Sequence, residues 1–120
     1  MSVIESKWKT ANDPDTPAEV LDQLAEDVDW MIRAAVAKNR NTSKETLRKL
    51  SKDVDPFVRQ GVALNPHTPQ DVLDELVNDE DLMVKLYLSR NEKLRLESLR
   101  KLVNSKCFTI SKSAVESGRV

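Results

Sequence analysis

Hydrophobic positions along the chain return every 26 residues without a gap. Leu21, Leu47, Leu73 and Leu99 form one column, and Leu24, Leu50, Leu76 and Leu102 another. Ile32, Val58, Val84 and Ile110 form a third, followed by Val36, Val62 and Leu88 and then by Ala37, Ala63 and Ser89. Polar residues keep the same register: Thr16, Thr42, Thr68; Asp27, Asp53, Asp79; Asp29, Asp55, Asp81; Arg33, Arg59, Lys85; Asn39, Asn65, Asn91. Self-similarity at a fixed period of this size is the signature of a stacked repeat. The chain therefore divides into units 13–38, 39–64 and 65–90, within one repeat domain spanning 1–120. Residues 91–120 keep the leucines and Ile110 but lose the Thr, both Asp and the Arg, which suits a degenerate C-terminal capping unit. Residues 1–12 place Lys7 and Ala11 in the Arg33 and Ala37 columns, as a partial N-terminal cap.

Each unit predicts two short helices. The first opens with Thr16-Pro17-Ala18-Glu19, Thr42-Ser43-Lys44-Glu45 or Thr68-Pro69-Gln70-Asp71. Thr as N-cap, Pro at the first helical position and an acid at the third spell a capping box, weaker where Asp71 replaces the longer Glu. Val20, Leu21, Leu24 and Ala25 then share one helical face. The second helix starts after Asp29, Asp55 or Asp81, and Pro56 marks Asp55 as an N-cap with Pro following. Ile32 and Val36 point inward at i, i+4. Neither helix reaches the roughly 12 residues at which an isolated helix becomes marginal, so each relies on stacking. The expected fold is all-α: a right-handed α-solenoid of about four two-helix repeats.

The run Asn65-Pro66-His67-Thr68-Pro69, then Val72-Leu73, Leu76, Asp79, Val84-Lys85 and Asn91, resembles the leucine-rich repeat variant family. That family's pattern is Asn-Pro-x-Thr-Pro, a leucine pair, Asp, Val-Arg, Val-Ala and Asn. Unit one is similar through Thr16-Pro17, Leu21, Leu24, Asp27, Ile32-Arg33, Val36-Ala37 and Asn39. Unit two follows with Asn39, Thr42, Leu47, Leu50, Asp53, Val58-Arg59, Val62-Ala63 and Asn65. The resemblance covers residues 12–92 closely and implies a right-handed superhelix akin to HEAT and armadillo arrays. The family's best-known architecture adds an N-terminal cysteine cluster for an iron-sulfur centre. No such cluster stands here, so no cofactor is carried over.

Composition narrows the chemistry. At 39 % apolar, 32 % charged and 4 % aromatic, the chain can build a helical core. Two glycines exclude a Gly-rich phosphate loop. A single Cys107 excludes a disulfide framework or a multi-cysteine metal site, and the lone His67 excludes a paired-histidine one. No apolar run approaches the ~20 residues of a membrane span, and no signal-peptide pattern opens the chain. A cytoplasmic protein with no membrane contact is expected.

The polar columns point to structure before chemistry. Arg33, Arg59 and Lys85 could form a phosphate stripe, but the equally spaced Asp27, Asp53 and Asp79 favour a ladder of ion pairs within or between units. Asn39, Asn65 and Asn91 sit where one unit turns into the next, where Asn tolerates the left-handed region and bonds local backbone. His67 shares its loop column with Asp15, Asn41 and Lys93, which reads as an exposed turn. Cys107 has no His placed to activate it. Any acid–base pair drawn from these columns would be duplicated in every unit, so no enzyme is expected.

Charge alternates along the chain: units one to three carry −5, +3 and −4, and residues 91–120 carry +4. The change is sharpest at Asp22, Arg48, Asp74, Arg100 and at Gln23, Lys49, Glu75, Lys101. These columns predict an alternating charge ladder on the outer face of the first helices, which would penalise slippage of the stack by one unit.

On the second helices, positions away from Ile32 and Val36 read Trp30-Ala34-Lys38, Pro56-Gln60-Leu64, Leu82-Leu86-Arg90 and Phe108-Lys112-Glu116. The Met31, Phe57, Met83 and Ala35, Gly61 columns are expected to pack between units, with Tyr87 as an exception. An exposed stripe rich in Trp, Tyr and Leu with flanking Arg has the composition of a protein-binding surface. The expected function is a non-enzymatic scaffold that binds another protein on the concave face of stacked second helices, through Trp30, Leu64, Leu82, Leu86, Tyr87 and Arg90. The alternative, a nucleic-acid-binding helical-repeat protein, needs a continuous basic surface. Lys38, Arg90 and Lys112 are interrupted by apolar residues and Glu116, which argues against it. A monomer or a weak end-to-end homodimer is expected.

Overall fold

The computed structural model describes residues 2–103. Eight helices and no strand occur among them: α1 (Val3–Asn12), α2 (Ala18–Leu24), α3 (Trp30–Lys38), α4 (Lys44–Leu50), α5 (Pro56–Leu64), α6 (Gln70–Leu76), α7 (Leu82–Ser89) and α8 (Leu96–Val103). First helices begin at Ala18, Lys44, Gln70 and Leu96, second helices at Trp30, Pro56 and Leu82, each 26 residues after the last. Every helix pair is thus a copy of its neighbour. Helix α3 packs between α1 and α5, and α5 packs on α7, while α2, α4 and α6 each rest on the second helix that follows them. The resulting body measures 45 × 22 × 20 Å.

The repeating apolar columns are the core. Leu21, Leu47, Leu73 and Leu99 from the first helices meet Ile32, Val58 and Val84 from the second, and all are fully buried. Each such side chain contributes about 1.5–3 kcal/mol from burial. That stabilisation exists only in the stack, since a helix of seven to nine residues has no stability alone. Helix α1 belongs to the second-helix layer, packed on α3, with Ser6 and Thr10 in its Ile32 and Val36 columns.

Second helices start as expected. The Asp29, Asp55 and Asp81 carboxylates accept the backbone N–H of Met31 (2.9 Å), Phe57 (2.8 Å) and Val84 (3.0 Å), and Pro56 lies in the first turn of α5. First helices differ from expectation. Their N-cap residues are Pro17, Ser43 and Pro69, one position beyond the threonines. Only Ser43 caps through its side chain, to the Thr46 N–H at 3.1 Å. The Thr16, Thr42 and Thr68 hydroxyls instead donate to the carbonyls of Thr10 (2.6 Å), Val36 (2.6 Å) and Val62 (2.8 Å). Carbonyls in the last turn of a helix lack an intrahelical donor. The buried threonine hydroxyl satisfies that need, so it closes the preceding helix and does not open the next.

The asparagine column also does more than turn the chain. Asn39 (φ −74°, ψ 132°) and Asn65 (φ −71°, ψ 122°) are extended, not left-handed. Their Oδ1 atoms, and that of Asn91, accept the N–H two residues on, from Asn41, His67 and Lys93, each at 2.9 Å. Their Nδ2 groups reach back into the preceding unit. Asn39 donates to the carbonyls of Ala11 (2.9 Å) and Asp13 (2.8 Å), Asn65 to Ala37 (2.9 Å) and Asn39 (3.0 Å), and Asn91 to Ala63 (2.8 Å) and Asn65 (3.2 Å). A carboxamide combines an acceptor and two donors on one flat group, which this bracket requires. Asp13, in the same column, keeps the turn through the Asp15 N–H (2.9 Å) but has no donor to reach backward. Cys107, Phe108, Ile110, Lys112 and Glu116 lie outside the described residues.

Candidate functional site

Lys7, Arg33 and Arg59 of the basic column are held in structural ion pairs. Arg33 donates through Nε to Asp53 Oδ2 at 2.8 Å and through Nη2 to Oδ1 at 3.2 Å, and Arg59 meets Asp79 in the same way at 2.8 and 3.3 Å. The remaining Nη1 groups bond the carbonyls of Asp27 (2.8 Å) and Val28 (3.1 Å), or that of Asp53 (2.7 Å). Lys7 begins the ladder with Asp27 at 2.8 Å. Each cation therefore pairs with the acid of the next unit, as one form of the expected ladder requires. The bond from Asp53 holds the Arg33 guanidinium above its ordinary pKa, and the bond from Lys7, helped by the Asp29 N–H, holds the Asp27 carboxyl below 3.8. Groups so committed are poor phosphate ligands. The column partner of Lys85 falls at Ser105, outside the described residues.

Elsewhere on the second helices, apolar surface is exposed. Trp30, Leu64 and Leu82 are 41 %, 39 % and 46 % accessible, and Arg90 is exposed. Leu86 and Tyr87 are half-buried, with Tyr87 packed against the core. Met31 and Met83, expected between units, are 40 % exposed, and Phe57 packs between units as expected but at a half-exposed surface. Helices α3 and α5 approach closely: a Cβ on Gly61 would stand 2.7 Å from Ala37 Cβ and 3.2 Å from the Ala34 carbonyl. Gly61 meets the buried Ala34 and Ala37 across that seam, which leaves no room for a side chain at position 61.

Phe57 meets Trp30 there, with ring centroids 5.0 Å apart and planes inclined by 28°. Such a stacked pair gains about 0.5–1.5 kcal/mol beyond area burial. Phe57 was missed because it lies 27 residues from Trp30, one position off the column period. Beside the pair, Trp8, Trp30, Met31 and Lys38 border a shallow groove of about 230 Å³ between α1 and α3. The surface is apolar, with Lys38 and Arg90 separated by Leu64. His67 sits in an exposed turn. Among the described residues no group of three His, Cys, Asp or Glu side chains could hold a metal, and no helix is long and apolar enough to cross a membrane.

The first-helix layer bears the alternating charges, but same-column pairs do not form. Arg48 bonds Asp71 at 2.9 Å, Arg95 bonds Asp74 at 2.8 Å, and Lys49 bonds Glu26, which raises the Lys49 pKa. Asp22 accepts hydroxyls from Thr46 and, at 3.2 Å, Ser43, while Asp74 accepts from Ser98 at 2.6 Å. Partners stand 21 to 24 positions apart in the sequence. Helical side chains lean toward the N-terminus, so each meets its neighbour about a turn away from its own column.

Residues 56–81 match the family model described as leucine rich repeat variant. The match spans one full period, from the first residue of α5 to the residue before α7, and the resemblance read from the columns holds there. This is a family of non-catalytic helical repeats. No curated protein and no solved structure matches the chain.

Proposed function

We propose that this chain, an array built on leucine-rich-repeat-variant units, is a non-enzymatic cytoplasmic scaffold that binds another protein on the concave side of its second helices. The observation that carries the reading is the Trp30–Phe57 stack, two aromatic rings from adjacent units held together yet 41 % and 53 % exposed. Met31, Leu64, Leu82 and Met83 extend it along the stack, each at least 39 % exposed. Leu86, Tyr87 and Arg90 complete the contact at the far end. Aromatic side chains ordered before binding lose little entropy on contact, which favours them as anchors.

The reading is tested by Trp30→Ala with Phe57→Ala. Both residues lie outside the core, so the variant is expected to keep its helical circular dichroism. Truncating two anchors is expected to weaken partner capture about 30-fold or more, at ~2 kcal/mol or more in total. Retention of every captured protein at full affinity by a folded variant overturns the reading.

A further inference from the structure

The exposed face of the first helices carries four bands of alternating sign. Glu19, Asp22 and Glu26 are exposed on and just after α2; Lys44, Arg48, Lys49 and Lys52 on and just after α4, with Glu45. Asp71 and Glu75 follow on α6 beside the half-buried Asp74, then Arg95, Arg100 and Lys101 at α8 with Glu97. The bonds between bands do not remove these charges from solvent. Arg48 and Asp71 are 48 % and 59 % exposed at the side chain, and Lys49 and Glu26 are 64 % and 62 %.

A row of four alternating bands has a symmetry property. Turned end for end, minus-plus-minus-plus reads plus-minus-plus-minus. We infer that this face is a self-complementary interface on which two copies of this chain pair antiparallel. A two-fold axis across the long direction of the body brings the first band onto the fourth and the second onto the third. Every opposed band is then of opposite sign. In the parallel arrangement every band meets its own sign, so charge alone selects the direction, and like charges placed opposite each other suppress the wrong one. The outline of one long side, 45 by 20 Å, bounds such a contact at about 900 Å², against about 800 Å² per partner in a standard interface. Because the bonds formed are exposed and ionic, the dimer is weak and salt-sensitive. It leaves the Trp30–Phe57 face open and does not depend on the function proposed for it.

Sedimentation of the full chain tests this first. At ~0.05 M salt the mass should rise from monomer toward dimer with chain concentration, and at ~1 M salt, where the screening length is about 3 Å, it should return to monomer. A monomer at both salts up to ~1 mM chain, or a dimer indifferent to salt, overturns the proposal.

The second test exchanges charge in the two central bands. One variant carries Arg48→Glu with Lys49→Glu, the other Asp71→Lys with Glu75→Lys. Each alone places like charges opposite each other and is expected to be monomeric. Mixed in equal amounts, they restore both central oppositions and should recover at least tenfold of the lost association as a heterodimer. Failure of the folded mixture to associate, or dimers of either variant alone at the original strength, overturns the arrangement. Should either variant not fold, Arg100→Glu with Lys101→Glu and Glu19→Lys with Glu26→Lys exchange the outer bands to the same end.

Discussion

From one unit to the next, the second-helix layer repeats its bonds. Asn39, Asn65 and Asn91 bracket the preceding turn, Arg33 and Arg59 clasp the following aspartate, and Gly61 lets α5 lie close on α3. The first-helix layer, only one helix away, changes its bonds at each step. Asp22 takes hydroxyls from α4, Arg48 gives an ion pair to Asp71, and Asp74 again takes a hydroxyl from Ser98. Units one and three resemble each other there, and unit two differs from both. Identical bonds fix the geometry of a step but cannot tell one step from another. Alternating bonds can, because a slip by one unit places acid against acid.

The comparison is broken most severely in the constant layer. Asn65 is 2 % exposed and its Nδ2 satisfies two backbone carbonyls. Asn65→Ala leaves them without that donor and should cost about 2–3 kcal/mol in urea unfolding. Asn65→Asp should cost more at neutral pH, because a carboxylate then faces carbonyl oxygens. Burial beside those oxygens raises the folded pKa of the introduced carboxyl. The penalty is therefore full above that raised pKa, shrinks as pH falls from it toward the ordinary carboxyl pKa of about 4, and is gone below that value. A pH-independent loss equal to that of Asn65→Ala would show that the bracket matters only by volume.

A smaller effect comes from the start of the ion-pair ladder. Asp27 is only 10 % exposed at the side chain, but its partner Lys7 is 44 % exposed, so solvent discounts the bond. Lys7→Met should cost about 1 kcal/mol at pH 7. The folded Asp27 carboxyl titrates below 3.8, mainly because of the Lys7 bond, so its contribution is present above that value and is lost as pH falls through the lowered one. Chemical unfolding across a pH series should therefore show the two chains converging below pH 3.8. A gap that persists in acid would assign the loss to packing of the lysine stem.

The same contrast explains what could be read from the sequence. Unit length, the buried columns, the aspartate caps of the second helices and the Arg–Asp ladder were legible because a contact repeated at every step leaves a column. The threonines misled because Thr16-Pro17-Ala18-Glu19 spells a capping box, and nothing local reveals that a carbonyl six residues back competes for the hydroxyl. The asparagines were correctly placed at turns, but their backward reach is a tertiary contact. Phe57 was rightly expected to pack between units, whereas Met31 and Met83 stand more exposed than a packing column implies. Of the candidate residues, Trp30, Leu64, Leu82 and Arg90 are exposed, whereas Leu86 and Tyr87 are half-buried. Phe57 escaped because the stack it joins crosses columns.

The smallest effect belongs to the alternating layer. Arg48 and Asp71 pair at 2.9 Å with both side chains about half exposed, so Arg48→Ala should cost only a few tenths of a kcal/mol, and less at high salt. Thr46→Val tests the layer from its buried side. The equivalent column already holds the buried Val72, so the side chain fits, and Thr46 gives up its hydroxyl bond to Asp22 and the one it accepts from Ser43. Asp22 is exposed and regains water in place of that donor, which keeps the loss near 1 kcal/mol or below. If these bonds chiefly discriminate between registers, single losses of this size are what the layer can tolerate, because no one of them fixes a step. A loss of about 3 kcal/mol from either change would place Arg48 or Thr46 beside Asn65 among the groups that set the geometry, and the distinction between the two layers would not hold.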